Sequence, residues 1–183
     1  MQSNEEARLR FALQAYRDPA TAADVEAFLQ FLLSHPLGFD RADQAGHFTG
    51  SAWLVSCDGL RVLLTHHRKL GRWLQLGGHA DGDRHLSRVA LREAEEESGL
   101  ADLVVDPAIF DIDRHHIPAR RDEPGHWHYD VRYVVRATAC EVFAVNDESH
   151  ALAWRDIAEL GGDGTINESV RRMARKWLAR GGK

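Results

Sequence analysis

The chain has no excess of positive charge. Its 23 Lys and Arg stand against 28 Asp and Glu, a net charge of −5. Affinity for a long nucleic acid comes largely from phosphate neutralisation, so this balance argues against such a partner. A nucleotide needs only a local basic pocket and stays open. Long apolar runs are also missing. No stretch approaches the roughly 20 residues of a membrane span, and the opening MQSNEEARLR contains no apolar signal region. A cytoplasmic location without membrane contact is therefore expected. Cysteine is scarce. Cys57 and Cys140 stand far apart and form no metal or redox motif. Internal repeats and low-complexity segments are absent as well. What is there is an ordinary hydrophobic content of 44%, enough for a globular core. The 183 residues suit one domain with an appendage. Histidine, with eleven copies, is abundant.

The apolar periodicity predicts two N-terminal helices. Residues 4–17 place Leu9, Phe11, Leu13 and Tyr16 at helical spacing, and Asp18-Pro19 ends the run. Residues 22–34 do the same with Val25, Phe28, Leu29, Phe31 and Leu32, and Pro36 and Gly38 follow. This hairpin over residues 1–43 either caps exposed core or serves as a lid or dimer contact, so a homodimer is one expected partner state. Strand-like text then covers 48–56, 61–67 and 72–76, the first two separated by the turn signal Cys57-Asp58-Gly59. A helix is expected over 84–98 with Gly99 as its C-terminal cap. Strands over 103–117, 126–140 and 150–154 follow, with a polar turn around 121–125. A last helix, about 167–179, opens at Thr165 or Asn167. Mostly strands with a few helices make an α+β domain.

The densest chemistry lies in residues 77–100, GGHADGDRHLSRVALREAEEESGL. Glu93, Glu96 and Glu97 stand three and four apart, so a helix sets their carboxylates on one face. Clustered carboxylates repel one another unless a cation sits among them. An all-oxygen ligand set suits a hard divalent ion, Mg²⁺ or Mn²⁺, over zinc. A Glu-rich helix is also a common solvated face. Here the carboxylates sit in a longer frame: a Gly-Gly turn at Gly77-Gly78, about fourteen residues, Arg-Glu, then Glu-Glu-x-Gly.

That frame resembles the Nudix box, G-x5-E-x7-R-E-U-x-E-E-x-G-U, with U a bulky aliphatic residue. Gly78 at the first position puts Arg92, Glu93, Glu96, Glu97, Gly99 and Leu100 on their places. Arg84 stands where the first glutamate belongs, and Ala94 stands where an aliphatic belongs. Asp81 and Asp83 lie close enough in sequence to replace the lost carboxylate. The resemblance implies a mixed β-sheet flanked by helices, an α/β/α sandwich over residues 44–183, preceded by the helical extension. It implies a hydrolase of a small-molecule diphosphate, such as a nucleoside diphosphate linked to a group X. The alternative it leaves open is a nucleotide-binding or regulatory module whose catalysis Arg84 has weakened. By position, Glu93, Glu96 and Glu97 are the metal ligands, with the backbone carbonyl of Gly77 or Gly78 as a further one. Glu93 alternatively acts as the base. Arg92 pairs with Glu96 and orients it. A carboxylate outside the box is expected just before the 150–154 strand, with Glu148 the choice from Asn146-Asp147-Glu148.

Two basic clusters flank the box. His66, His67, Arg68 and Lys69 lead into Arg72, and His67, Arg68 and Arg72 are candidate substrate contacts. His79, directly after the glycines, contacts phosphate or hydrogen-bonds the turn. On a strand, His126, His128 and Asp130 share one face at spacings of about 6.5–7 Å. With His115 and His116 opposite, they make a histidine-carboxylate metal site, line the substrate pocket beside Trp127 or Tyr129, or form a ligand-free ladder. His128 is the candidate substrate contact among them.

Overall fold

The computed structural model describes residues 4–68, 70–120, 124–139, 141–144 and 149–182. The N-terminal helices are α1 (Asn4–Ala15) and α2 (Ala22–Ser34). The sheet strands are β1 (Gly46–Val55), β2 (Arg61–His67), β3 (Arg72–Leu74) and β4 (Leu76–His79), then β5 (Leu103–Ile117), β6 (His126–Ala137) and β7 (Ser149–Asp156). Between β4 and β5 lies α3 (Leu86–Ser98), and after β7 come α4 (Ile157–Leu160) and α5 (Glu168–Ala179). The helix and strand assignments read from the pattern agree in type with this order. The one-turn α4 and the strand β4 are additions.

The sheet is mixed. β1 and β6 run parallel in full register from Gly46↔Trp127 to Val55↔Arg136, and the other pairings are antiparallel. The strand order is β3-β2-β1-β6-β5, with β7 on the far edge of β2. β2 touches β1 only at Val55↔Val62 and then splays away. The short strands fill this fork. β3 pairs with β2 through Thr65↔Leu74 and His67↔Arg72, and β4 pairs with β1 through Ala52↔Leu76 and Thr49↔His79. Gln75 is the vertex where the chain reverses. Both prongs therefore open toward the same end of the sheet.

Two apolar layers sandwich it. On one face Phe48, Ala52, Leu54, Val131 and Val135 pack with Leu9 and Leu13 of α1, Phe28 and Phe31 of α2, and Val89, Ala90 and Ala94 of α3. Phe31 stacks on Tyr129 at 4.0 Å between ring centroids, so the N-terminal helices share the core of the sheet. On the other face Trp53, Val55, Leu64, Phe110 and Val134 meet Val170, Met173, Ala174 and Trp177 of α5. The spacing of those four residues, i, i+3, i+4 and i+7, is one helical face. Asn167 caps α5 by accepting the Ser169 amide at 2.8 Å. Gly99, at φ 69°, ends α3 in the left-handed conformation a glycine adopts without strain.

The Gly77-Gly78 pair differs from its expected role. It is not a turn but the middle of β4. These residues are glycines because of what lies beside them. A Cβ on Gly77 would sit 2.2 Å from Ser51 Oγ, and one on Gly78 would sit 2.3 Å from Glu93 Oε2.

Candidate active site

α3 lies across β1 and β4, and this packing brings the box together. Gly50 in β1 has room for no side chain, because a Cβ there would meet the Leu86 carbonyl at 2.7 Å. The helix thus rides close on the sheet and aims its C-terminal half at the two glycines. The Gly77 amide donates to Glu97 Oε1 at 2.7 Å. Glu97 is buried, whereas Glu96 is exposed. Glu93 presses against Gly78, and its Oε1 accepts from Arg92 Nη2 at 2.9 Å.

Arg92 Nη2 also donates to the His79 carbonyl at 3.1 Å. It was expected to orient Glu96. Its ion-pair partner is instead its neighbour Glu93, with Glu96 contributing only to the surrounding field. Its second bond to β4 explains the difference, since a side chain held to the His79 carbonyl lies beside Glu93. Arg92 therefore acts as a brace between the helix and the glycine strand.

The donor set fits a hard divalent ion. Two carboxylates, one of them buried, converge on a backbone segment stripped of side chains, with the third one turn away on the same helix face. The trio is not drawn tightly together. Among the described residues the three-residue group whose ligand atoms all lie within 4.8 Å is His47, His126 and His128.

The substitutes proposed for the first glutamate are committed elsewhere. Asp81 takes Arg41 through two bonds of 2.6 Å. Asp83 takes Arg88 and accepts the His85 amide at the start of α3. Arg84 itself turns away to α1. Its Nε donates to Glu6 Oε1 at 2.8 Å, and its guanidinium lies over the Phe39 ring.

The substrate candidates divide between the prongs of the fork. His67 and Arg72 pair at the end of the β2–β3 hairpin, and exposed Arg68 lies in its turn. His79 ends the other prong, and its ring joins His47 and His128 at 4.9 and 5.1 Å between centroids. Lys69, Asn146, Asp147 and Glu148 lie outside the described residues. Of the histidine candidates, His115 stands 5.3 Å from His128 and bonds Asp113, while His116 faces Trp127. His47 was missed by sequence reading. Its signal was present, since His47, Thr49 and Ser51 alternate with apolar or small residues along β1.

Under the fork lies a charged core. Asp130 Oδ1 accepts from Thr49 and Ser51 at 2.9 and 2.8 Å, and its Oδ2 takes Arg132 Nε at 2.7 Å. Arg132 is fully enclosed and also pairs with Asp111 and Asp113, each at 3.3 Å. Arg172 and Lys176 of α5 complete the network on Asp111.

The NUDIX domain model matches residues 47–177, which span the fork, the box and α5. The chain belongs to the Nudix family. Solved structures agree with its fold. A Nudix-family hydrolase from Clostridium perfringens shares 27% identity at TM-score 0.57, covering 73% of this chain and 97% of its own. The C. elegans Ap4A hydrolase, in a binary complex, shares 14% at TM-score 0.56, covering 73% and 96%. The Nudix domain of Shewanella oneidensis NrtR, complexed with ADP ribose, shares 18% at TM-score 0.52, covering 81% and 97%. No curated protein matches the chain. In this chain α1 and α2 lie ahead of the segment matched by the NUDIX domain model, and no helix among the described residues is long and apolar enough to cross a membrane.

Proposed function

We propose that this Nudix protein is a Mg²⁺- or Mn²⁺-dependent hydrolase that cleaves a diphosphate linkage in a nucleoside diphosphate-X type or related small molecule. The observation that carries the reading is the Gly77 amide on Glu97 at 2.7 Å, with Glu93 against Gly78. It joins both ends of the box in space. Glu93, Glu96 and Glu97 would hold the ion, with the Gly78 carbonyl as a backbone donor. Bound there, a divalent cation neutralises diphosphate charge and acidifies a water.

The protein's own groups do the rest. Glu93 alternatively serves as the base that accepts the proton of the attacking water, and Arg92 keeps that carboxylate oriented. The open fork receives the diphosphate between His67, Arg68 and Arg72 on one prong and His79 on the other, with His128 beside it on β6. Ap4A and ADP ribose, named for two structures of this fold, belong to the proposed substrate class.

Arg84 bears on the alternative of a weakened binding module. Its charge is spent on Glu6, away from Glu93 and Glu97. That supports turnover despite the changed box position. The test is product release from a panel of nucleoside diphosphate derivatives with Mg²⁺, with Mn²⁺ and with neither. Equal release by wild type and Glu97→Gln would sink the proposal.

A further inference from the structure

At the open end of the sheet the starts of β1 and β6 and the end of β4 meet, and each brings a histidine. We propose that His47, His126 and His128, with His79 beside them, form a second cation site, for a borderline divalent ion of the zinc class. This site does not depend on the glutamate site. By strand alternation His47, His126 and His128 point to the face opposite Phe48 and Tyr129, which pack under α2, and Gly78 faces Glu93 on that latter side.

The geometry suits such an ion. The ring nitrogens of the three lie within 4.8 Å of one another. His126 Nε2 and His128 Nε2 are 3.2 Å apart. Two imidazoles on one tetrahedral Zn²⁺, each at about 2.0–2.1 Å, stand about 3.3 Å apart along the tetrahedral edge. The tautomer of His126 is set by Pro124, whose carbonyl accepts from Nδ1 at 3.0 Å. A carbonyl only accepts, so in the neutral ring Nε2 carries the lone pair and faces His128. An outer backbone acceptor of this kind commonly orients a metal-bound histidine.

His47 supplies the independent observation. It is 2% exposed, and both of its ring nitrogens are buried without a hydrogen-bond partner. Buried polar atoms are ordinarily satisfied, and an orphan costs stability. Here the unused nitrogens sit beside two histidines. Neutral nitrogen donors select zinc-class ions, whereas the carboxylates of α3 select Mg²⁺ or Mn²⁺. His79 links the sites, since its ring joins the cluster while its carbonyl holds Arg92.

The experiment titrates chelator-stripped full-length protein with Co²⁺ and reads visible absorption. One equivalent should give the intense bands of tetrahedral Co²⁺, displaced by Zn²⁺ and unaffected by excess Mg²⁺. Folding of each variant is checked by circular dichroism. His47→Ala and His128→Ala should weaken Zn²⁺ binding at least about 100-fold, beyond what loss of an outer-shell partner costs. Glu97→Gln should leave it unchanged. Absent or octahedral-type bands, or bands kept by both histidine variants, would overturn the site. If the histidine variants do not fold, X-ray absorption of the Zn²⁺-loaded wild type decides. Imidazole scatterers at about 2.0 Å support the proposal, and oxygen-only coordination overturns it.

Discussion

Arg84 and Glu6, 78 residues apart, meet at 2.8 Å. The box position that departs most from the family pattern is thus tied to the first helix of the chain. A charge reversal has become a clip between the loop ahead of α3 and the N-terminal extension. Arg84→Glu should destabilise the protein by about 1 kcal/mol, the scale of a partly exposed pair. The double variant Glu6→Arg, Arg84→Glu should recover most of it. Thermal melts of the single and double variants check this, and equal melts would show that the pair contributes nothing.

Glu97→Gln keeps an oxygen for the Gly77 amide, so the fold should survive. Mg²⁺-dependent turnover should fall on the order of 100-fold, at least what loss of an outer-shell metal partner costs. Steady-state kinetics with a saturating divalent ion provide the measurement.

Gly78→Ala places a methyl group 2.3 Å from the native position of Glu93 Oε2. Glu93 must move and release Arg92. Turnover should drop by at least tenfold with little change in fold, as read by paired kinetics and circular dichroism. Unchanged kinetics would mean that the position of Glu93 is not critical.

Arg132→Met removes the enclosed cation and leaves Asp111 and Asp130 buried with less compensation. Breaking a buried pair from one side costs about 3–5 kcal/mol. Urea denaturation at neutral pH should show a loss of that size. A loss below about 1 kcal/mol would mean that solvent or Arg172 takes over.

Asp113 determines part of the acid limit. Burial works to raise its pKa, but Arg132, His115 and Arg172 outweigh it and hold the carboxyl well below the usual 3.8. The unfolded chain therefore binds the proton more readily. This stabilisation is complete above about pH 4 and is lost as pH falls below 3.8 toward the depressed folded value. Asp113→Asn should lower stability at pH 6 and flatten the fall below pH 4. Stability curves for the two proteins across that range test it.

Much of the fold was legible because its signals are local. Leu9, Leu13, Phe28 and Phe31 repeat at helical spacing, and they are buried where that spacing put them. Val170, Met173 and Trp177 did the same for α5. The Arg92 error has the opposite origin. An i, i+4 rule offered Glu96, but the choice between Glu93 and Glu96 was made by the His79 carbonyl, which comes from another strand. The glycines were legible as a close approach and misread as a turn, because only strand pairing with β1 shows which atoms approach them.

The sequence by itself determined that three carboxylates share a helix face behind two glycines, since 3.6 residues per turn is a local property, and the spaced box they belong to carried the resemblance to the family. Tertiary structure alone decided that Arg84 answers Glu6, that Arg132 is enclosed among three aspartates, and that His47 joins His126 and His128. Those meetings depend on strand register and helix docking, which are selected by burial summed over the whole core and are written in no single segment.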